Sequence, residues 1–506
     1  MMQGNYQKAA TSPLIESFSI IGMYGYRDLT LSSPTAASVV IAPNGAGKTT
    51  LLNVLNSILT RRYAKLINLD FHQIIVKFHG RPEIRVDKAA FDRLNSAAEE
   101  FARKPAKSQG VDPVDFAHFA LDLWPVLDED DFVNTPIASE IYRNFGYSRP
   151  KFRRFMNEAM TSITRLIPSI SALDDAVAEL FEDYQIVYLP TYRRLELTLK
   201  RDENLPRRRQ KPRLQFAEDS IHSGEINFGL TDIREQLESL NNQITRQSNT
   251  GYRDLTARII NDMIANKLDH WNAQDGRVPA REDLEIFFGR LTDSKTFGPF
   301  SQIATPNIEQ IYGENIDDTS RSSVFLSYFL DQLTDVVNKT KDIERSVNDF
   351  IATCNKYLSG SATEQEMQHE WAEVRRLSSS AESKLLKLNR SDLSVTVLSL
   401  ISNRLIALNS LSSGEKQMVS LFAKMYLYPG KKIVLIDEPE LSLSLDWQLS
   451  LLPDILDAPD CRQLIAITHS PFVFDNSLEN FAYPLTIAFD PSKFGDDENF
   501  IDEVDF

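Results

Sequence analysis

Eight residues near the start of the chain, 42–49, combine glycine, lysine and threonine at a spacing that suits phosphate binding. They read APNGAGKT and follow the apolar run 39–41, which predicts a buried strand. Glycines let backbone N–H groups approach an anion, and a helix that begins here points its positive N-terminus at the same anion. We therefore predict that a nucleotide contacts Asn44, Gly45, Ala46, Gly47, Lys48, Thr49 and Thr50.

Within this loop, two side chains have a specific predicted role. Lys48 is expected to reach the β- and γ-phosphates of ATP, and the Thr49 hydroxyl is expected to hold Mg²⁺. Ala42 stands where such a loop usually has its first glycine, and alanine is the least disruptive replacement. The alternative is an ordinary strand-to-helix turn that happens to contain Gly-Lys-Thr.

Two adjacent carboxylates follow a second apolar run, 433–436, far along the chain. The carboxyl end of a buried parallel strand is where such sheets place their chemistry. Asp437 suits Mg²⁺ coordination through water there, and Glu438 suits orienting an attacking water. Phosphoryl transfer depends on an oriented nucleophile and on neutralised charge, which these two side chains would supply. A solvated acidic turn after the strand is the alternative interpretation.

Two further motifs are informative through their order along the chain. The segment 411–417 reads LSSGEKQ, and its Ser412, Ser413 and Gly414 suit a helix N-terminus that binds an anion. His469 follows the run LIAIT and ends the strand expected to neighbour that of Asp437, where it could hydrogen-bond a γ-phosphate. A helix cap or a structural histidine explains either motif alone. The ordered set of motifs predicts ATP binding.

Strand-like segments are concentrated near the two ends of the chain, and helix-like segments lie between them. The predicted domains are an N-terminal lobe at 1–90, a mostly helical insertion at 91–390 from which 185–196 returns to the core, a C-terminal lobe at 391–490 and an acidic tail at 491–506. Predicted helices include 174–184, 232–244, 255–268 and 342–358. No long heptad repeat is present, so extended coiled-coil arms are not expected.

Composition excludes several classes of protein. The chain has 506 residues, 42% of them hydrophobic, and a net charge of -16, which argues against a protein that coats nucleic acid over its whole surface. Cys354 and Cys461 are far apart, which excludes a disulfide framework or a zinc ribbon. The N-terminus lacks a secretory signal, and no apolar stretch approaches the roughly 20 residues that span a bilayer. These features predict a cytoplasmic protein without a membrane partner.

The motifs together resemble the ABC ATPase superfamily. They correspond to its Walker A motif at 42–49, its signature motif at 411–415, its Walker B motif at 433–438 and its switch histidine at His469. The resemblance implies an α/β fold, with an ABC-type P-loop ATPase head that has a mixed β-sheet and is interrupted by a large, mostly helical insertion. It also implies a homodimer or higher homo-oligomer, because the signature of one copy completes the ATP site of another. Ser412 and Gly414 would then contact the γ-phosphate bound at the Lys48 of a second copy.

Finer features are similar to one branch of this superfamily. The insertion and the segment DEPELSLS resemble SMC-like and RecF-like proteins, including ATPases of the overcoming-lysogenization-defect type. The segments 188–196, 411–422 and 436–448 are most similar to stand-alone ATPases of bacterial anti-phage systems, such as the PARIS AriA and Septu PtuA subunits. The chain departs from the superfamily at Ser444, where many members have aspartate, although Asp446 follows. Gln73, a candidate nucleotide-sensing glutamine, is more typical of an ordinary strand residue.

The resemblance also indicates how the chain could act. Nucleases of this branch carry a metal-binding domain after the ATPase, and too few residues follow His469 for such a domain. We therefore expect a slow, Mg²⁺-dependent ATPase that senses phage infection, through DNA or a phage protein, and controls a separate nuclease or toxin in antiviral defence. The alternatives are a RecF-like DNA-repair ATPase and an ATP-binding assembly scaffold with little turnover.

Basic residues in the middle of the chain have two interpretations. Arg193 and Arg194 follow a strand-like run and suit contact with the nucleotide or with a dimer interface. The clusters 207–209 and 211–213 suit electrostatic contact with DNA or a phage component. Ordinary solvent-exposed side chains are the simpler explanation in both cases.

Overall fold

The apolar runs that precede the predicted site residues lie side by side in one parallel sheet. The computed structural model describes residues 7–109, 113–126, 142–143, 148–190, 230–271, 276–293, 307–312, 321–359, 384–400, 402–441 and 443–489. The strands within these ranges are β1 (Ile15–Met23), β2 (Arg27–Ser32), β3 (Ala37–Ile41), β4 (Gln73–Phe78), β5 (Ile84–Asp87), β6 (Tyr184–Leu189), β7 (Lys384–Leu388), β8 (Val395–Ser399), β9 (Arg404–Ile406), β10 (Lys431–Asp437), β11 (Cys461–Thr468), β12 (Ala482–Pro484) and β13 (Thr486–Phe489).

The parallel sheet has the strand order β12-β3-β11-β10-β6. Its register pairs Asp437 of β10 with Ile467 of β11, and Thr468 of β11 with Ile41 of β3. The strand before His469 is therefore the direct neighbour of the strand before Glu438, which confirms the expectation from the sequence. Because parallel strands end on the same side, the residues that follow β3, β10 and β11 meet at one edge of the sheet.

A second sheet is antiparallel and has the order β13-β2-β1-β4-β5. Parallel and antiparallel strands thus occupy separate sheets in the described residues, rather than the one mixed sheet expected from the sequence. The chain passes from one sheet to the other between β12 and β13, where the Leu485 N–H donates to the Ile41 carbonyl at 2.8 Å. Consecutive antiparallel strands such as β1 and β2 need only a short turn, whereas β13 reaches β2 from a distant part of the chain, with Thr486 paired to Thr30.

The hydrophobic core that contains both sheets also includes the first helix. The α-helices of four or more residues within the described ranges are α1 (Lys48–Leu59), α2 (Lys88–Gln109), α3 (Pro113–His118), α4 (Arg149–Arg165), α5 (Pro168–Phe181), α6 (Leu230–Ile264), α7 (Arg281–Asp293), α8 (Ile308–Ile311), α9 (Arg321–Leu358), α10 (Ser413–Tyr426) and α11 (Leu445–Asp457). Leu51, Leu55 and Ile58 of α1 are fully buried in this core with Ile433 of β10. Packing of this apolar face fixes α1 against the sheet, immediately after the predicted phosphate loop.

The described residues divide into two compact units. One contains the residues before 228 and after 428, and the other contains those between. In the second unit, α6 and α9 run antiparallel, since Arg258 contacts Gln332 at 3.5 Å and Asp262 contacts Tyr328 at 2.7 Å. The same unit contains an antiparallel sheet of order β7-β8-β9 and the helix α10. None of the helices among the described residues is both long and apolar enough to cross a bilayer.

None of the four predicted helices has the bounds that the sequence suggested, and the one at 342–358 is the last part of α9, which begins at Arg321. The sequence suggested separate helices at 232–244 and 255–268, whereas α6 is continuous from Leu230 to Ile264. The weak helix formers at 248–251, Ser-Asn-Thr-Gly, are accommodated because α9 packs against them, with Ser248 only 1% exposed. The helix predicted at 174–184 begins earlier, at Pro168, a residue well suited to a first helical turn. It ends at Phe181 because Tyr184 already belongs to β6.

Candidate functional site

The loop at 42–49 has a backbone conformation suited to wrapping an anion. Gly45 has a φ of +79° and Gly47 a φ of +94°, in the left-handed region that favours glycine. A Cβ on Gly47 would also lie 2.9 Å from the Leu29 Cδ1, so both the backbone conformation and the surroundings favour glycine at that position. Gly47 is the N-cap of α1, and because it has no side chain, the first N–H groups of this helix have no side-chain cap. The first turn of α1 can therefore direct its N–H groups to phosphate oxygens.

Lys48 is buried beside a carboxylate from the distal acidic motif. Its side chain is 4% exposed, and its Nζ lies 2.9 Å from the Glu438 Oε1. The same Nζ donates to the Asn44 Oδ1 at 3.3 Å and to the Ala42 carbonyl at 3.5 Å. Burying an ammonium group is costly unless a negative charge accompanies it, and Glu438 supplies that charge. The structure thus brings together the lysine of one motif and the glutamate of another.

A second contact joins the same two motifs. The Thr49 Oγ1 donates to the Asp437 Oδ2 at 2.5 Å. Asp437 is fully buried at the end of β10, and Thr49 lies in the first turn of α1. Mg²⁺ prefers oxygen ligands, and it is usually held by one or two carboxylates together with substrate phosphates and water. This hydroxyl and carboxylate fit the predicted Mg²⁺, for which Thr49 and Asp437 would be the protein ligands.

Glu438 adopts a strained backbone conformation directly after β10. Its φ is +50°, which is uncommon for any residue other than glycine and costs about 1–3 kcal/mol. A hydrogen bond from the Glu438 N–H to the Ile467 carbonyl, at 2.8 Å, fixes this turn to the neighbouring strand β11. The Glu438 Oε1 also lies 4.0 Å from the His469 Nδ1. Strain of this kind concentrates at functional sites, in agreement with a role for this carboxylate in the reaction.

His469 is held by a buried carboxylate, that of Glu440. The Glu440 Oε1 lies 2.8 Å from the His469 Nδ1 and accepts the His469 N–H at 3.1 Å. Its Oε2 accepts the Thr468 hydroxyl at 2.8 Å. Because Nδ1 is engaged by a carboxylate, Nε2 remains for a different partner. Glu440 was not among the predicted site residues, since its role depends on a contact between the ends of two strands that no local pattern reveals.

A second residue that the sequence did not indicate is Arg27, in β2. Its Nη1 donates to the Gly45 carbonyl of the phosphate loop at 2.8 Å. The guanidinium lies 5.1 Å from the centre of the Tyr26 ring and 5.6 Å from that of Phe489. Cation–π contacts of this kind hold an arginine in place, so Arg27 can brace the loop from outside. Arg27 belongs to no recognisable motif, and only its position in the fold relates it to the site.

The predicted signature residues lie in the second unit, at the N-terminus of α10. Ser412 is the N-cap: its Oγ accepts the Glu415 N–H at 3.3 Å, and its own N–H donates to the Glu415 Oε2 at 2.7 Å. This reciprocal pair is a capping box, which stabilises the first turn of a helix. Ser412 and Ser413 are exposed and Gly414 is half-buried. The helix tip is therefore presented at the surface of its unit.

The remaining predicted positions have ordinary surroundings or are not described. Gln73 lies in β4, and its Nε2 donates to the Asp87 Oδ1 of the neighbouring strand at 2.7 Å. Ser444 is the N-cap of α11 and makes no side-chain cap hydrogen bond, and Asp446 lies in the first turn. The predictions for Arg193 and Arg194, for the basic clusters at 207–213 and for the acidic tail fall outside the described residues.

Neither cysteine contributes to this chemistry. Both are buried, and burial raises the pKa of the Cys354 thiol well above its ordinary value and that of Cys461 to about 11. The reactive form of cysteine is the thiolate, which these pKa values disfavour near neutral pH. The acid–base and ligand chemistry of the site therefore rests on the carboxylates, the histidine and the loop.

The segment that contains the distal motifs is similar to a described protein family. Residues 295–475 match the family model described as "AAA domain, putative AbiEii toxin, Type IV TA system". The matched segment contains the residues 412–414, Asp437, Glu438 and His469, and the phosphate loop precedes it. No curated protein matched the chain. The match supports a P-loop ATPase domain of the AAA/ABC-like kind, for which nucleotide binding and ATPase activity are the general properties.

Proposed function

We propose that the chain is an ATP-dependent switch of bacterial antiviral defence, in which two copies assemble around ATP and control a separate effector. The Lys48–Glu438 and Thr49–Asp437 contacts carry this proposal, because they join two motifs that are distant in sequence. The matched family is described as a putative toxin of a toxin–antitoxin system, which supports the defence context. We include the PARIS and Septu ATPases among the systems proposed as relatives, on the resemblance of the segments 188–196, 411–422 and 436–448.

In the proposed reaction, the loop N–H groups and Lys48 bind the β- and γ-phosphates. Mg²⁺ held by Thr49 and Asp437 would neutralise part of the phosphate charge. As Lys48 exchanges the Glu438 carboxylate for phosphate oxygens, that carboxylate becomes available to orient water for attack on the γ-phosphate. Its fixed turn after β10 keeps it at the edge of the sheet where the phosphates bind.

The proposed sensing of the γ-phosphate involves both copies. His469, held at Nδ1 by Glu440, offers Nε2 to the γ-phosphate. Ser412 and Gly414, at the exposed tip of α10 in the second copy, close over the same phosphate. The hydrolysed nucleotide lacks this group, so assembly would report whether ATP or ADP is bound.

Two substitutions test this proposal directly. Glu438→Gln preserves size but removes the carboxylate that orients water, so ATP turnover should fall about 100-fold or more. The ATP-bound dimer should then accumulate in analytical ultracentrifugation. Lys48→Ala should abolish nucleotide binding and leave a monomer with ATP present. Lys339→Ala, at an exposed position on α9, is the control and should behave as the wild type.

Each variant has an outcome that contradicts its assigned role. Unchanged turnover and assembly in Glu438→Gln would exclude this residue as the water-orienting group. Nucleotide binding that survives Lys48→Ala would place the nucleotide elsewhere.

Further measurements separate the proposed biology from the alternatives. Co-purification with the product of a neighbouring gene would support a separate effector, whereas a purified chain that cuts DNA alone would contradict it. Turnover stimulated by DNA would favour a RecF-like repair ATPase. Assembly on ATP without measurable turnover in the wild type would favour a scaffold.

A further inference from the structure

Lys384 is a buried lysine to which the proposed reaction assigns no role. It is the first residue of β7, and its side chain is 11% exposed. Its Nζ contacts both carboxylate oxygens of Glu415, at 3.1 and 2.9 Å, and the Glu415 side chain is 13% exposed. Two charges largely removed from water depend on each other, because each would be costly to bury alone. The two side chains therefore hold each other in one position.

Glu415 is also the residue that fixes Ser412. Its Oε2 accepts the Ser412 N–H at 2.7 Å, and its N–H donates to the Ser412 Oγ at 3.3 Å. A hydroxyl that accepts one hydrogen bond can still donate its own proton, in a direction which that bond restricts. The position of the Glu415 carboxylate thus determines how Ser412 is presented at the tip of α10.

The strand that carries Lys384 is anchored to the long helix α9. The Leu386 N–H donates to the Asn355 Oδ1 at 2.6 Å, and the Asn355 Nδ2 donates to the Leu386 carbonyl at 3.0 Å. The asparagine side chain thereby makes the two backbone hydrogen bonds that a neighbouring strand would otherwise make. Lys384 lies two residues away on the same strand, so a rigid element sets the position of its ammonium group.

We propose that Lys384 is a positioning residue of the composite ATP site. Through its ion pair with Glu415, it orients the Ser412 hydroxyl towards the γ-phosphate bound by a second copy of the chain. This inference rests on the proposed function. It adds that the hydrogen bonds between α9 and β7 fix the position of the signature residues at the tip of α10. Lys384 itself need not touch the nucleotide, because it acts through Glu415.

The test uses the full chain in a Glu438→Gln background, where the ATP-bound dimer is expected to accumulate. Lys384→Met removes the charge and retains an unbranched side chain, and Lys387→Met changes an exposed lysine of the same strand as the control. Lys384→Met should weaken ATP-dependent dimerisation about tenfold or more, the effect expected of one charge-assisted hydrogen bond. Affinity for a fluorescent ATP analogue, measured at a chain concentration too low for dimerisation, should stay unchanged, since the chain's own phosphate loop is intact. Lys384→Arg should restore dimerisation.

A second variant separates positioning from folding. Lys384→Met combined with Glu415→Gln removes both charges but retains an acceptor for the Ser412 N–H, because glutamine also serves in a capping box. It should unfold at the temperature of the control and still dimerise weakly.

Three outcomes would overturn the inference. The first is dimerisation of Lys384→Met equal to that of Lys387→Met. The second is normal dimerisation of the double variant. The third is a parallel loss of thermal stability and nucleotide affinity in both variants, which would indicate a purely structural pair. If the chain binds ATP but does not dimerise even with Lys384 intact, the proposed function fails first, so the two failures are distinguishable.

Discussion

At the scale of single residues, three carboxylates between positions 437 and 440 have three different partners. Asp437 accepts a hydrogen bond from Thr49, Glu438 pairs with Lys48, and Glu440 contacts His469. In an extended strand, successive side chains point alternately to opposite faces, so the three carboxylates could not reach three different partners. The left-handed φ at Glu438 ends the strand and allows each carboxylate its own direction. The left-handed conformation at one backbone position therefore permits three separate contacts in a short segment.

Glu440 gives a prediction at this scale. Glu440→Gln retains the size of the side chain but loses the charge that holds the His469 Nδ1. We expect the kcat of ATP hydrolysis to fall about tenfold, the lower end of the losses seen when a carboxylate partner of a functional histidine is removed at metal sites. ATP affinity should be unchanged. Steady-state kinetics of the single variants Glu440→Gln and His469→Ala and of their combination would measure this effect.

The combined variant is decisive because the two residues are expected to act as one unit. It should be no slower than His469→Ala alone, since the glutamate acts only through the histidine. Glu479→Gln, at an exposed position, is the control. Losses that multiply in the double variant would show that Glu440 and His469 act independently.

At the scale of elements, the antiparallel pair α6 and α9 depends on one close approach. A Cβ on Gly251 would lie 2.6 Å from the Val336 Cγ1, whereas a Cβ on Gly289 of α7 would meet nothing within 4 Å. Alanine gains about 1 kcal/mol over glycine inside a helix, but overpacking costs about 1–3 kcal/mol. Gly251→Ala should therefore lower the free energy of unfolding, and Gly289→Ala should raise it by about 0.5–1 kcal/mol. Urea unfolding of both variants checks the opposite signs.

A companion variant confirms the cause of this effect. Val336→Ala removes the methyl group that the new Cβ would meet, so Gly251→Ala should cost less in its presence. Equal stabilisation by alanine at both glycines would contradict a close contact between α6 and α9.

The same helix pair contains a tyrosine with a perturbed pKa. Burial, followed by the hydrogen bond to the Asp262 Oδ2 at 2.7 Å, raises the pKa of Tyr328 from 10.0 to about 12. The unfolded chain therefore loses this proton first as pH rises. The stability that Tyr328 contributes should be complete below pH 10 and should be lost as pH rises towards about 12. The difference in unfolding free energy between the wild type and Tyr328→Phe, followed across this range, measures it.

The control for this measurement is internal to the chain. Lys267, which contacts Asp262 at 2.7 Å, can be replaced by methionine without removing the tyrosine. The loss of stability at high pH should persist in Lys267→Met. A wild-type advantage over Tyr328→Phe that is constant from pH 9 to pH 12 would contradict the raised pKa.

The strands and the site were predictable from sequence to different degrees. The ends of β3, β10 and β11 were indicated because each apolar run stops at a polar motif, so strand and chemistry are encoded in one contiguous segment. The continuity of α6 through Gly251 was not, since packing against α9 overrides weak local helix propensity. Glu440 and Lys384 were missed for a related reason. Each contacts a side chain from another segment, His469 or Glu415, and only the fold determines those distances.

At the scale of the whole molecule, the phosphate loop and the signature belong to different compact units of the chain. The net charge of -16 requires compensation where a triphosphate binds, and Lys48 and the N-terminus of α1 supply it locally. If the exposed tip of α10 adds a second set of donors from another copy, each site takes residues from two chains. A two-fold dimer would then contain two such sites, each of which can be inactivated from either side.

This arrangement can be tested by mixing two inactive variants. Lys48→Ala removes the phosphate-binding lysine, and Gly414→Asp places a carboxylate where the γ-phosphate should meet the signature. Each alone should be inactive, but their mixed dimer retains one intact site. Only a mixed dimer contains an intact site, and it has one of two, so the mixture should regain ATP turnover up to about half of the wild-type value. Lys48→Ala mixed with Glu438→Gln is the control and should stay inactive, since both defects leave every site damaged. Equal turnover in the two mixtures would exclude sites shared between copies.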